Sequence, residues 1–308
     1  MHSILKTYYK IFIVNRKLLL IKFRGSFPII KFTTIIAAFF CCLIKCVHAQ
    51  DFIPDTVNVQ SGKLTLKGLL WHPVGHGPFP TIIFCHGSYR DTDRIYSPDQ
   101  QISSLGPVFA RHGFVYLGLF RRGVGISSGQ GVNSSDLMDR AFKKGGQEGR
   151  NEVQLQQMLT DQLNDMVSGL KYLRERKDVD TNRMGIVGHS FGGSLALLVA
   201  EHDPRLKAVI VFSAGGYSWN LSPELRESLI IAAGNISAPI MIIHDQNDYS
   251  TTPGYALDSV LNKLNKPHIL KIYPKFGETP QEGHNLIFKS IATWESDVFK
   301  FLNKYLKH

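Results

Sequence analysis

The stretch Met184–Ala200, MGIVGHSFGGSLALLVA, decides how this 308-residue chain is read. Its first apolar run is short and carries Ile and Val, as a buried strand does. Its second, SLALLVA, is built from helix formers. Between them Gly188-His189-Ser190-Phe191-Gly192 spells G-x-S-x-G at a strand-to-helix junction. Glycines two residues either side of the serine let strand and helix approach closely, so a strained turn can lift the hydroxyl above the sheet edge. The helix N-terminus beneath favours developing negative charge. Ser190 is the candidate nucleophile.

Further apolar runs place this junction in a sheet. TIIFC (81–85), FVYLGL (114–119), KAVIVFS (207–213), PIMIIH (239–244) and HILKIY (268–273) are continuous rather than alternating, as in strands buried on both faces. Upstream, DTVNVQSGKLTLKGLLWHP alternates around Ser61-Gly62 and predicts an antiparallel hairpin. Helical periodicity falls between the runs. The clearest case is 152–176, where Leu155, Leu159, Leu163, Met166, Leu170 and Leu173 predict one long amphipathic helix. Shorter helices are expected over 194–201, 223–233, 253–264 and 290–306. The expected fold class is α/β, a mostly parallel eight-stranded sheet with helices on both faces and an antiparallel N-terminal hairpin. Residues 126–152, polar and rich in glycine, read as a long loop that overhangs the site and selects substrate.

A serine hydroxyl needs a base. His284, in GETPQEGHNLIF between the last strand and the last helix, lies where a loop meets the carboxyl edge of the sheet. The acid that holds its imidazole is expected at the end of PIMIIHDQNDYSTTP, with Asp248 as first choice and Asp245 as fallback. The order Ser190, Asp248, His284 is the one this elbow uses. Two N–H donors are needed for the oxyanion. Phe191, directly after the nucleophile, supplies one; Ser88 in FCHGSYRD supplies the other, with Tyr89 as second choice. Histidines and carboxylates do not cluster at ligand spacing, so neither a metal nor another cofactor is expected.

Taken together, GIVGHSFGG, the HG after an early strand, RRGVGISSG, IHDQND and the GH before the last helix resemble the α/β-hydrolase superfamily, its dienelactone-hydrolase-like and prolyl-oligopeptidase-like catalytic domains above all. The resemblance covers nearly all of residues 55–306. It implies that Arg122–Gly129 forms a loop beside the active site, and that Asp180 and Arg183 brace the turn before the elbow strand. Dienelactone hydrolases proper carry a cysteine at the elbow where this chain has Ser190. The chemistry expected is hydrolysis of carboxylic esters through an acyl-enzyme; a serine peptidase or amidase is the alternative, and a non-catalytic binding protein on the same fold a third. The partner expected is a small ester or short peptide.

The formal charge of +10 invites a nucleic-acid reading, which its distribution removes. Residues 1–49 hold eight of the 35 Lys and Arg and none of the 25 Asp and Glu, leaving 27 basic against 25 acidic residues downstream. Basic residues, the apolar stretch Phe32–Ile44 and small residues at Val47 and Ala49 read as an export signal cleaved near Ala49. The expected organisation is thus 1–49 as signal peptide or N-terminal anchor and 50–308 as a single domain. The product is periplasmic or secreted; the alternative is an uncleaved segment holding it to a membrane. Three of the four cysteines lie in the leader, so the mature chain retains only Cys85 and forms no internal disulfide.

Overall fold

The computed structural model describes residues 11–14, 17–20, 52–89 and 97–307. The chain divides into two units, Met1–Asp51 and Phe52–His308. In the first, β1 (Ile11–Val14) and β2 (Lys17–Leu20) pair antiparallel. The stretch Phe32–Ile44 and the junction at Ala49 lie outside the described residues. Among the described residues no helix is long and apolar enough to cross a membrane.

The second unit opens with the expected hairpin, β3 (Asp55–Ser61) and β4 (Leu64–Trp71). Ser61 pairs with Leu64, and the two-residue turn between them begins with Gly62 at φ 57, the geometry that matches strand twist. Then follow β5 (Phe79–Cys85), β6 (Val115–Leu119), β7 (Val179–His189), β8 (Ala208–Phe212), β9 (Ile240–Asp245) and β10 (His268–Tyr273). The eight strands run β10-β9-β8-β7-β5-β6-β4-β3. β3, β4 and β6 join antiparallel, and every other pairing is parallel. This is the eight-stranded, mostly parallel α/β sheet that the apolar runs predict.

Helices cover both faces. Ile82 and Phe84 point to one side, against α1 (Pro98–Arg111) and α9 (Ile291–Leu306). Ile83 and Cys85 point to the other, against α3 (Asp161–Arg174), α4 (Phe191–His202), α5 (Pro223–Asn235) and α6 (Thr252–Lys263). Two fully buried apolar layers therefore clamp the central strands, which explains why those strands read as continuous hydrophobic runs. Two short helices, α7 (Pro280–His284) and α8 (Leu286–Lys289), follow β10.

Three features depart from the sequence reading. Residues 98–111 form a helix that no stripe announced: Ser97 and Gln100 close a capping box with Pro98 at N1, and Gly106 leaves room for the Trp71 ring, 2.3 Å from where a Cβ would stand. The single helix expected over 152–176 is two, broken at Thr160 (φ −125, ψ −92), whose hydroxyl donates to the Gln156 carbonyl at 2.7 Å. Leu159, at the end of the preceding helix, is accordingly 46 % exposed. Residues 126–152 are not a loop. A short 3-10 turn at Gly125–Ser127 leads into α2 (Ser134–Leu159), which breaks at Gly145 and Gly146 (φ 61, ψ −150). Its arms fold back on each other: a Cβ on Gly149 would lie 3.1 Å from the Ala141 carbonyl oxygen, and Arg150 pairs with Asp139 at 2.8 Å.

Candidate active site

The site assembles at the carboxyl ends of β5, β7, β9 and β10. Ser190 stands between β7 and α4 at φ 55, ψ −120, a conformation costing a non-glycine residue about 1–3 kcal/mol. The glycines around it make the turn possible by their missing side chains. A Cβ on Gly188 would fall 2.2 Å from the Gly192 carbonyl oxygen, and one on Gly192 2.0 Å from that of Cys85. The elbow is therefore pressed onto the end of β5, and the strain is held by packing on both sides.

Ser190, Asp248 and His284 come together. Asp248, 8 % exposed, accepts the Nδ1–H of His284 on Oδ1 at 2.6 Å. That bond leaves the His284 Nε2 lone pair to accept the Ser190 hydroxyl at 2.8 Å. His284 is itself 7 % exposed. It closes α7, a five-residue helix started by a Thr279–Glu282 capping box, and Asn247 anchors that turn by donating to the Thr279 carbonyl at 2.8 Å. The His284 backbone is pinned as well. Its carbonyl accepts from His189 Nε2 at 2.8 Å and from the Ser213 hydroxyl at 3.3 Å. Burial first, and then the closeness of the His284 ring, lower His189 to about 3, so this imidazole is neutral and serves as a strut. The fallback acid does not reach His284. Asp245 Oδ1 instead accepts the backbone N–H of Asn247 at 2.7 Å and of Phe276 at 3.2 Å, shaping the loops around the site.

A second histidine shares the acid. His244, fully buried, gives its Nδ1–H to Asp248 Oδ2 at 2.9 Å, and the Tyr249 N–H reaches Oδ1 at 2.7 Å. Burial alone would raise the Asp248 carboxyl; the hydrogen bonds from His244 and His284 hold it well below the usual carboxylate range. Sequence reading passed over His244. Its one signal was a polar residue ending an apolar strand, four positions before an acid.

Phe191 opens α4, so its N–H has no intrahelical acceptor. Ser88 and Phe191 both line a cavity of about 60 Å³ in which Ser190 also stands. Tyr89, the second choice for a donor, is not among the lining residues; its carbonyl instead accepts from Asn133 Nδ2 at 3.4 Å. Met138, Gln147, Arg150 and Gln154 of α2 wall the cavity on one side, and Gly215–Ser218 with Leu221 on another. Asn151 of α2 also donates to the Leu221 carbonyl. The segment read as an overhanging loop thus does border the site, but as a helical hairpin. Tyr249 stacks edge-on to His284 with centroids 4.9 Å apart, and Tyr217 edge-on to Tyr249 at 5.6 Å.

Residues 122–129 do not line this cavity and are tied instead to α3 and β4. Arg122 grips Asp165 through Nε (3.0 Å) and Nη2 (2.7 Å), and Ser127 Oγ accepts the Lys67 N–H at 2.8 Å. Asp180 and Arg183 pair at 2.7 Å at the start of β7. No group of three or more potential metal ligands occurs among the described residues.

Comparison with known proteins agrees with this architecture. The esterase EstD of Thermotoga maritima is 27% identical over 157 residues, 51% of this chain but only 31% of that protein. The uncharacterized peptidase YtmA of Bacillus subtilis is 23% identical over 266 residues, covering 78% of this chain and 91% of its own. The solved dienelactone hydrolase of Anabaena variabilis shares the fold, with a TM-score of 0.57 at 17% identity, covering 83% of this chain and 100% of that one. The sequence pattern of the dienelactone hydrolase family matches residues 100–287, well over half of the 308, and by that match the chain belongs to this family of hydrolases.

Proposed function

We propose that the chain is a serine hydrolase that cleaves carboxylic esters through an acyl-enzyme. The observation that carries this reading is the unbroken hydrogen-bond chain from Ser190 Oγ to His284 Nε2 (2.8 Å) and from His284 Nδ1 to Asp248 Oδ1 (2.6 Å). Ser190 attacks the ester carbonyl while His284 Nε2 takes its proton. The negative charge that develops on the carbonyl oxygen is met by the N–H groups of Phe191 and Ser88. His284 then returns the proton to the departing alkoxide, and a water molecule repeats the sequence to free the acid. Asp248 keeps the imidazole in the required tautomer and stabilises its charged form.

The cavity beside Ser190, about 60 Å³, suits a short acyl group, and the ester reading draws support from the similarity to EstD. The peptidase reading rests on YtmA, whose similarity runs along most of both chains. The basic then apolar order of residues 1–49 supports export of the enzyme.

A fluorophosphonate probe should label the intact chain, and S190A should abolish labelling. Labelling that survives S190A would remove the assignment. Turnover of p-nitrophenyl esters against aminoacyl p-nitroanilides then separates ester from peptide cleavage.

A further inference from the structure

Arg121, two residues past β6, is 2 % exposed, and among the described residues no carboxylate lies within ion-pair distance of it. A buried guanidinium that no described carboxylate contacts directly is expensive to keep, so its contacts need an account. They converge on one short segment. Nη1 donates to the His86 carbonyl at 2.8 Å and Nη2 to the Gly87 carbonyl at 3.2 Å. The Arg121 backbone N–H reaches His86 Nε2 at 3.3 Å, which makes that nitrogen an acceptor and puts the imidazole proton on Nδ1. His86 Nδ1–H then donates to the Gly87 carbonyl at 2.7 Å. Burial, and after it the Arg121 charge, push His86 well below its ordinary value, which keeps the ring neutral.

The Gly87 carbonyl thus receives two donors, and it belongs to the peptide unit that carries the Ser88 N–H. In a trans peptide the N–H points opposite to the C=O. Drawing the carbonyl toward Arg121 therefore turns the Ser88 N–H away from it, and Ser88 lines the cavity that holds Ser190. Gln101 fixes the preceding peptide by accepting the Gly87 N–H at 3.0 Å. The guanidinium also sits 5.2 Å from the centre of the Phe191 ring, touching the residue that bears the other N–H.

We propose that Arg121 is a positioning residue for the oxyanion hole, orienting the Ser88 N–H through the Gly87 carbonyl. The inference rests on the reading of Ser190 as nucleophile. Its effect belongs to the transition state, where the carbonyl oxygen becomes an anion; substrate binding depends on it little.

The test compares wild type, R121M and R121K on a p-nitrophenyl ester, with active sites counted by fluorophosphonate titration. Removing an oxyanion donor outright costs about 100- to 1,000-fold, so loosening one should lower kcat per active site by about 10- to 100-fold in R121M. KM should hardly move, and affinity for a trifluoromethyl ketone, which captures the serine as an oxyanion, should fall by the same factor as kcat. R121K, with charge but no fork, should fall between. A purely structural role would lower the melting temperature and the titrated fraction while leaving kcat per titrated site at the wild-type value; that result overturns the proposal. Should R121M not fold, R121K with wild-type kcat and ketone affinity overturns it equally. If wild type is not labelled at Ser190, the nucleophile reading itself falls, and this inference with it.

Discussion

Gly192→Ala probes the seam between the elbow and the end of β5. A Cβ at this position would stand 2.0 Å from the Cys85 carbonyl oxygen and 2.3 Å from that of His86. Even the closest favourable carbon–oxygen contacts are about 3.3 Å, so the start of α4 must retreat by on the order of 1 Å. Neither obstacle is the loose end of a side chain. Both are backbone, and the His86 carbonyl is held at 2.8 Å by Arg121. Phe191, adjacent to the substituted residue, must move with it and carry its N–H away from Ser88. A misplacement of this size costs about 100-fold in rate, and the overpacking a further 1–3 kcal/mol of stability. Turnover of p-nitrophenyl acetate per fluorophosphonate-titrated site measures the first, and a thermal melt the second. Gly129→Ala serves as the control, since a Cβ there meets nothing within 4 Å. A G192A enzyme with wild-type turnover per site would refute the idea that this contact sets the geometry of the oxyanion donors.

Removing the second imidazole on the acid by H244F deletes the donor 2.9 Å from Asp248 Oδ2. A charge-assisted bond of this kind is worth about 1.5–3 kcal/mol, and kcat should fall on the order of tenfold. H244N, whose Nδ2 occupies the place of the imidazole Nδ1, should recover most of it, and an undiminished kcat in H244F would contradict a role for the shared carboxylate. Asp248 also couples stability to pH. Its folded value lies below the ordinary 3.8, so the stability it contributes is complete above that pH and is lost as pH falls toward the folded value. Between about pH 4 and pH 3 the denaturation midpoint of wild type should therefore drop further than that of D248N, and parallel curves would count against the paired carboxylate. M138A enlarges the cavity beside Ser190 on the side of α2. The ratio of kcat/KM for butyrate over acetate esters should rise; an unchanged ratio would detach the hairpin from acyl selection.

The strands were legible because burial on two faces leaves an unmistakable mark: TIIFC and KAVIVFS allow no solvent-facing alternation. Ser190, Asp248 and His284 were legible as candidates because each follows a strand run, in the stretch where the chain has left the sheet. The helical hairpin at 134–159 left no such mark. Its arms pack partly on each other, and the wall it gives the cavity carries Gln147, Arg150 and Gln154, so no continuous apolar stripe forms. The break at Thr160 was hidden for the opposite reason. The leucine spacing runs on through it, while a hydroxyl bonded to its own helix ends the turn. Asp248 and Asp245 could not be ranked by spacing alone. What distinguishes them is tertiary, since Asp248 faces two imidazoles and Asp245 caps a loop. Arg121 and His244 read as isolated polar residues at strand ends, and only the folded chain brings them to the peptide and the carboxylate they hold.

β10 is the outermost strand on its side of the sheet, paired with β9 alone and half-exposed along much of its length. The loop that bears His284 hangs from it, whereas Ser190 leaves β7, deep in the middle. The proposed base and nucleophile therefore belong to regions of unequal local stability. Mild denaturant should fray β10 and silence turnover while circular dichroism still reports an intact centre. Simultaneous loss of both signals would mean that the margin is locked as firmly as the middle. Activity in this fold is a gauge of its rim, and an engineer seeking a longer-lived enzyme would reinforce that rim before touching the core.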